Sequence, residues 1–167
     1  MRRAGLALAV VLVSGSCDLA AFDVTQNVPT QTIPGSSTGT TLPVQSVLEV
    51  DISLSSSDLP TGIGFVTSVT LKSATFTITS PPQQTFNFIQ GVSLSIAAPS
   101  NQILATETPI ATGQGDPSSS TLKLQPVGNV NLLPYLRAGA IVHARGMGTQ
   151  PTDTTTLNGQ IVLTVHP

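Results

Sequence analysis

The sequence predicts an all-β protein: an antiparallel β-sandwich, immunoglobulin-like, of seven to eight strands, following an N-terminal signal and a flexible linker. Three observations carry this. Charged residues are only 8% of the 167 and aromatic residues 4%, while 40% are hydrophobic. A charge-poor chain rich in Thr, Ser and Val suits strands, because surface helices draw on Ala, Glu, Lys and Leu. Short segments also alternate apolar and polar residues with the period of a half-buried strand. Finally, clusters of Gly, Pro, Asn and Ser interrupt those segments every 8–15 residues or so, a spacing typical of sandwiches and barrels. A barrel is the alternative closure. The immunoglobulin cysteine pair and core tryptophan are both missing, so only the architecture is inferred.

Residues 1–17 stand apart from the rest. Arg2 and Arg3 precede an unbroken apolar run from Ala4 to Val13, followed by Ser14-Gly15-Ser16 and then Cys17. A positive start, a short apolar core and small residues at the exit make a secretory signal. Ten apolar residues fall well short of the roughly 20 needed to cross a bilayer. Cys17 is the only cysteine, so no intramolecular disulfide can form. The stretch resembles a bacterial lipoprotein signal, and the resemblance implies that cleavage leaves Cys17 at the new N-terminus carrying lipid. Ser14 stands where that family's signal usually has leucine, with Val13 one place earlier. The alternative is an ordinary signal cut near Ala20–Ala21, which would release a soluble chain.

Residues 18–43 mix Pro, Gly, Ser and Thr with little periodicity and read as a flexible spacer. An edge strand over Ala21-Phe22-Asp23-Val24 is the competing reading. The domain is then 44–167, long enough to bury a core without a metal or disulfide.

In that domain Leu48, Val50, Ile52 and Leu54 fall on one strand face, with Glu49, Asp51 and Ser53 on the other. Asp58–Gly64 is a loop. From Phe65 to Ser80 the apolar phase starts on Val69 and Leu71 and moves to Ala74, Phe76 and Ile78. One extra residue near Lys72-Ser73 produces such a shift, so a β-bulge or bend is expected there. Pro81-Pro82 ends the strand, since proline cannot donate to a ladder. Phe86 to Ile96 reads as the next strand, with a bend or bulge at Gln90-Gly91. Gln102–Thr112 is a weaker strand, Gly113–Ser120 a loop, and Thr121–Leu124 the start of another strand. Val130–Gly139 is the one helical piece, with Asn129 as its cap and Gly139 as its close. Ala140–Met147 and Leu157–Val165 are the last strands. From Ser68 onward the Gly–Val–Ser–Leu patterning at Ile89–Ile96 and the Leu-Leu-Pro-Tyr-Leu-Arg-Ala-Gly segment at 132–139 resemble uncharacterised bacterial lipoproteins with a single β-sandwich domain. That resemblance implies no catalytic residues.

The chemistry is sparse. Beyond Cys17, four cationic side chains face eight anionic ones, a balance of −4. This lacks the basic footprint of nucleic-acid binding. Only His143 and His166 could act as imidazole bases. His166 is penultimate and expected to fray. His143 falls beside Arg145 on a polar strand face and reads as an ordinary surface histidine. Glu49 and Asp51 share a face, as a glycosidase pair would, but solubilising charges occupy such positions too, and one tyrosine without tryptophan makes no sugar platform. Asp116 with Gln114 is too sparse for calcium. The expectation is no catalytic residue, no metal and no cofactor, with Cys17 as lipid acceptor. The partners expected are the membrane, through the N-terminal lipid, and an envelope or surface protein. The role expected is non-catalytic: structural, adhesive or protein-binding in the cell envelope. A small-ligand or glycan-binding module is the alternative.

Overall fold

The computed structural model describes residues 20–36, 43–53, 66–99 and 106–167, with 43–53 described by backbone. Cys17 and the rest of the signal, the Asp58–Gly64 loop and residues 100–105 lie outside the described residues. The elements are β1 (Phe22–Ile33), β2 (Pro43–Ser53), β3 (Ser68–Ser80), β4 (Ile89–Ala97), β5 (Thr108–Gly113), β6 (Thr121–Pro126), α1 (Leu133–Ala138), β7 (Ile141–Thr149) and β8 (Thr155–His166). All the pairings are antiparallel, so the all-β fold is as the sequence predicts.

The strands form one curled sheet in the order β1-β8-β3-β6-β5-β4-β7-β2. The β5–β6 join is slender, with only Ala111 opposite Pro126 and Thr112 opposite Gln125. There the sheet folds into two four-stranded layers, β1-β8-β3-β6 and β5-β4-β7-β2. This succession is that of a jelly roll, two interleaved Greek keys, and it differs from the ABED/CFG arrangement of immunoglobulin domains. The sequence predicts the layers but carries no signal for their internal order.

Two register shifts fall where the apolar phase slips. Between Leu71 and Ser73, β3 advances two residues while β8 moves one, so Lys72 is the extra residue of a bulge. Gln90 plays the same part in β4 between Ile89 and Gly91. Three expectations need correcting. Within the stretch read as a spacer, Phe22–Ile33 is a strand, paired with β8 from Phe22 opposite Val165 to Ile33 opposite Thr155. The bulge between Val28 and Gln31 holds Pro29, and an edge strand tolerates proline there because no ladder donor is needed. Phe86–Phe88 is a 3-10 turn before β4 rather than its first residues. His166 does not fray, since it closes β8 opposite Ser68.

Inward faces from both layers make one core, including Phe76, Leu94, Ile96, Leu122, Leu163 and Val142, each 1% exposed or less. The two ends of the sandwich are plugged separately. By register, one end gathers the entry to β1, the close of β8, the start of β3 and the β6–β7 connection, where α1 lies. We call it the entry end. Asn131, rather than Asn129, ties α1 down: its Oδ1 accepts the N–H groups of Val69 and Leu133, each at 3.1 Å. The Leu132 N–H donates to the Val69 carbonyl at 2.7 Å. Gly139 closes the helix with φ 75°, a left-handed cap that glycine adopts without strain. At the far end Phe86 and Phe88, ring centroids 6.0 Å apart, fill the gap beneath the β3–β4, β5–β6 and β7–β8 loops. No helix among the described residues is long and apolar enough to cross a membrane.

Candidate functional site

The outer face of β5-β4-β7 carries a charged cluster and, among the described residues, the most exposed large apolar side chain. Alternation along β7 turns Val142 and Ala144 inward, leaves His143 half-buried and directs Arg145 and Met147 out. β7 pairs on both sides. Arg145 lies opposite Ser93 of β4 and Glu49 of β2, and His143 opposite Ser95 and Asp51. Glu49 and Asp51, singled out in the sequence, therefore lie at register positions beside the one arginine and one histidine of β7.

Glu107, just before β5, pairs with Arg145. Arg145 holds its carboxylate in a two-pronged pair, Nη1 to Oε2 at 2.5 Å and Nη2 to Oε1 at 2.8 Å. The Ser95 hydroxyl donates to Oε2 at 2.8 Å. The Arg145 hydrogen bonds, then that from Ser95, pull the Glu107 carboxyl down to about 2, and the Arg145 and His143 charges add smaller contributions. Such an acid stays ionised throughout the physiological range, so it holds position rather than shuttling a proton.

Beside this pair, toward the far end, lies an open depression of about 490 Å³. Gly91 forms its floor: a β-carbon there would meet only the Gly113 carbonyl oxygen, 3.9 Å away. Ser93, Thr112 and Gln114 supply hydroxyl and carboxamide groups, Arg145 forms part of the wall, and Met147 overlooks it at 59% exposure. A thioether on a flexible stem adapts to irregular apolar surfaces. The alternation of β7 could have pointed to Met147, which shares the outward phase of His143 and Arg145. Glu107 and Ser95 could not be read that way, because their contacts with Arg145 depend on strand order.

The other layer has a different depression, of about 520 Å³, over the β1 bulge and the middle of β8 and β3. Its polar lining is uncharged: the carboxamides of Asn27, Asn158 and Gln160 and the hydroxyls of Thr30, Thr75 and Thr77. Elsewhere the charges serve the loops and edges. Lys72, the bulge residue, bonds Asp23 at 2.5 Å, and Thr164 donates to the same carboxylate at 2.9 Å. These two contacts, Lys72 first, lower the Asp23 carboxyl. Asp116 accepts the Ser118 hydroxyl at 2.6 Å and its N–H at 2.8 Å, which shapes the β5–β6 turn.

No family model and no curated protein matches the chain. Among solved structures it is similar to the BFDV capsid protein in decameric and 60-mer forms. In each case the identity is 12% and the TM-score 0.43 over 87% of this chain, with 96% and 91% of those chains covered. A likeness of that size does not bear on what the chain binds.

Proposed function

We propose that this chain is an extracytoplasmic, non-catalytic binding domain, held to a bacterial membrane by lipid on Cys17, that receives a protein partner at the depression beside Met147. The observation carrying this reading is the separation along the sandwich between the chain's entry and that depression. Phe22, the first strand residue after Cys17, opens β1 at the entry end. Gly91 and Met147 lie toward the opposite end of their layer. A lipid at the entry end therefore leaves the depression facing away from the bilayer. The Glu107–Arg145 pair supports a binding role, since the carboxylate is held ionised by Arg145 and Ser95. The depression is open and carries one exposed thioether, which suits an apolar side chain of a partner better than an enclosed small molecule.

The test has two arms. Cys17→Ala should leave the protein soluble or unprocessed, and unchanged detergent partitioning would sink the tether. A photo-crosslinking residue at Met147 should form one discrete adduct in native envelopes, while the same residue at Gln160 does not. Equal adducts at both positions would remove the depression from the proposal. A second reading, glycan or small-ligand binding, is favoured by the other layer. The carboxamides and hydroxyls lining its depression make no side-chain hydrogen bond among the described residues, and an uncharged polyol could use them all. Reversing the two crosslinking results would favour it.

A further inference from the structure

We infer that the entry end of the sandwich rests on the bilayer surface, with Phe22 and Val127 turned to lipid and the β3–β4, β5–β6 and β7–β8 loops held in water. The inference rests on the Cys17 tether reading and goes beyond it, because a tether alone sets no orientation.

The first argument is length. Five residues lead from Cys17 to Phe22, and an extended chain covers at most 3.6 Å or so per residue, giving a leash of about 18 Å. β1 itself has 12 residues, which at roughly 3.3 Å each run about 40 Å along the sandwich. With 22–33 folded into a strand, the spacer that would have freed the domain is largely consumed. The entry end is the end within reach of the membrane.

The second argument is the surface of that end. The large hydrophobic side chains exposed among the described residues are Phe22 and Val127, each at 40%, and Met147. Phe22 opens β1 opposite Val165 near the close of β8, and Val127 follows directly on β6. Both therefore sit at the entry end, while Met147 sits toward the far end. Arg137 adds an exposed cation on α1 in the same cap, where a lipid phosphate would meet it. Two acids described near this end are paired, Asp23 with Lys72 and Glu107 with Arg145. The far end carries the exposed carboxylates Asp116 and Asp153 in polar loops, with the exposed Lys123 beside Asp116. Two exposed apolar side chains and a cation lie at the end nearest the tether, and polar loops with charges of both signs lie at the other.

Full-length lipidated chain, purified from bacterial membranes and reconstituted into phosphatidylethanolamine–phosphatidylglycerol vesicles, provides the test. Three variants, Phe22→Cys, Val127→Cys and Met147→Cys, each carry a bimane label, and the vesicles contain a lipid spin-labelled near the headgroup. All three sites are exposed, so folding is not at stake. The expected result is several-fold stronger quenching at positions 22 and 127 than at 147. Equal quenching at the three sites, or the strongest at 147, overturns the orientation while the chain stays on the vesicles. A chain that washes off the vesicles overturns the tether and the orientation together.

Discussion

At the entry end a six-residue helix lies across the mouth of the sandwich, whereas at the far end two phenylalanines of a 3-10 turn fill the same kind of gap. The helix is attached by polar bonds: Asn131 grips Val69 and Leu133, and the Tyr135 hydroxyl shares a hydrogen bond with Thr108 at 2.8 Å. The far plug adds close packing against glycine backbone to a bond from the Phe86 N–H to the Ser119 carbonyl at 2.9 Å. A β-carbon at Gly148 would lie 1.9 Å from the Phe88 carbonyl oxygen, and one at Gly115 2.3 Å from that of Phe86. A polar clamp can loosen by steps, while close packing gives way only by leaving a hole. The far end, proposed to face a partner, is therefore expected to be the stiffer of the two.

The largest expected effect follows from that difference. Phe86 is fully buried, and Phe86→Ala should cost about 4 kcal/mol through lost burial and a cavity the glycine-lined backbone cannot close. Leu136→Ala in α1 should cost nearer 3 kcal/mol or so, because a short helix can settle into the space. Urea unfolding midpoints of the two variants, read with the slope held common, check this. An equal or larger loss at Leu136 would break the contrast between the ends.

A smaller effect isolates the polar clamp. Asn131→Ala removes the acceptor for two N–H groups and should cost about 1–2 kcal/mol. Amide exchange should speed up at Val69 and Leu133 while Phe86 and Ile89 stay protected. Uniform acceleration would mean that Asn131 supports the whole fold rather than the entry end.

How much of this was readable in advance depends on range. The bulge at Lys72 was legible because buried positions move from odd to even, Val69 to Ala74, within one strand. The close of α1 at Gly139 was legible for the same local reason. Asn129, the cap the sequence predicts, lies two residues early, because the asparagine that matters is chosen by its contact with Val69, 62 residues away. β1 was hidden because an edge strand buries so little: of its 12 residues only Val28 and Ile33 are fully covered. Its proline reads as a break until the bulge that absorbs it is known. The jelly-roll order was not legible at all, since pairing Phe22 with Val165 is a matter of topology. The candidate site shares that limit. His143 and Arg145 were placed correctly on one polar face, while Glu107, which gives Arg145 its partner, joins them only after the chain has folded.

The smallest effect concerns that pair. Glu107 titrates at about 2 in the folded chain against an ordinary 4.5, because Arg145 and Ser95 donate to its carboxylate. A lowered folded value means that the stabilisation is fully present above pH 4.5 and is lost as the pH falls toward 2. Both side chains are more than a third exposed, so solvent screening holds the pair to about 1 kcal/mol or less. Asp23 and Asp116 are also lowered by their hydrogen bonds and add to the acid sensitivity, so the wild-type curve alone cannot assign it. The difference between wild type and Glu107→Gln can. The two should differ most above pH 5 or so and converge near pH 2, with the gap shrinking in high salt because exposed charges are screened. A constant difference across that range would show that Glu107 acts through packing and not through its charge. The ion pair would then tell us nothing about how the β5-β4-β7 face differs from its uncharged counterpart.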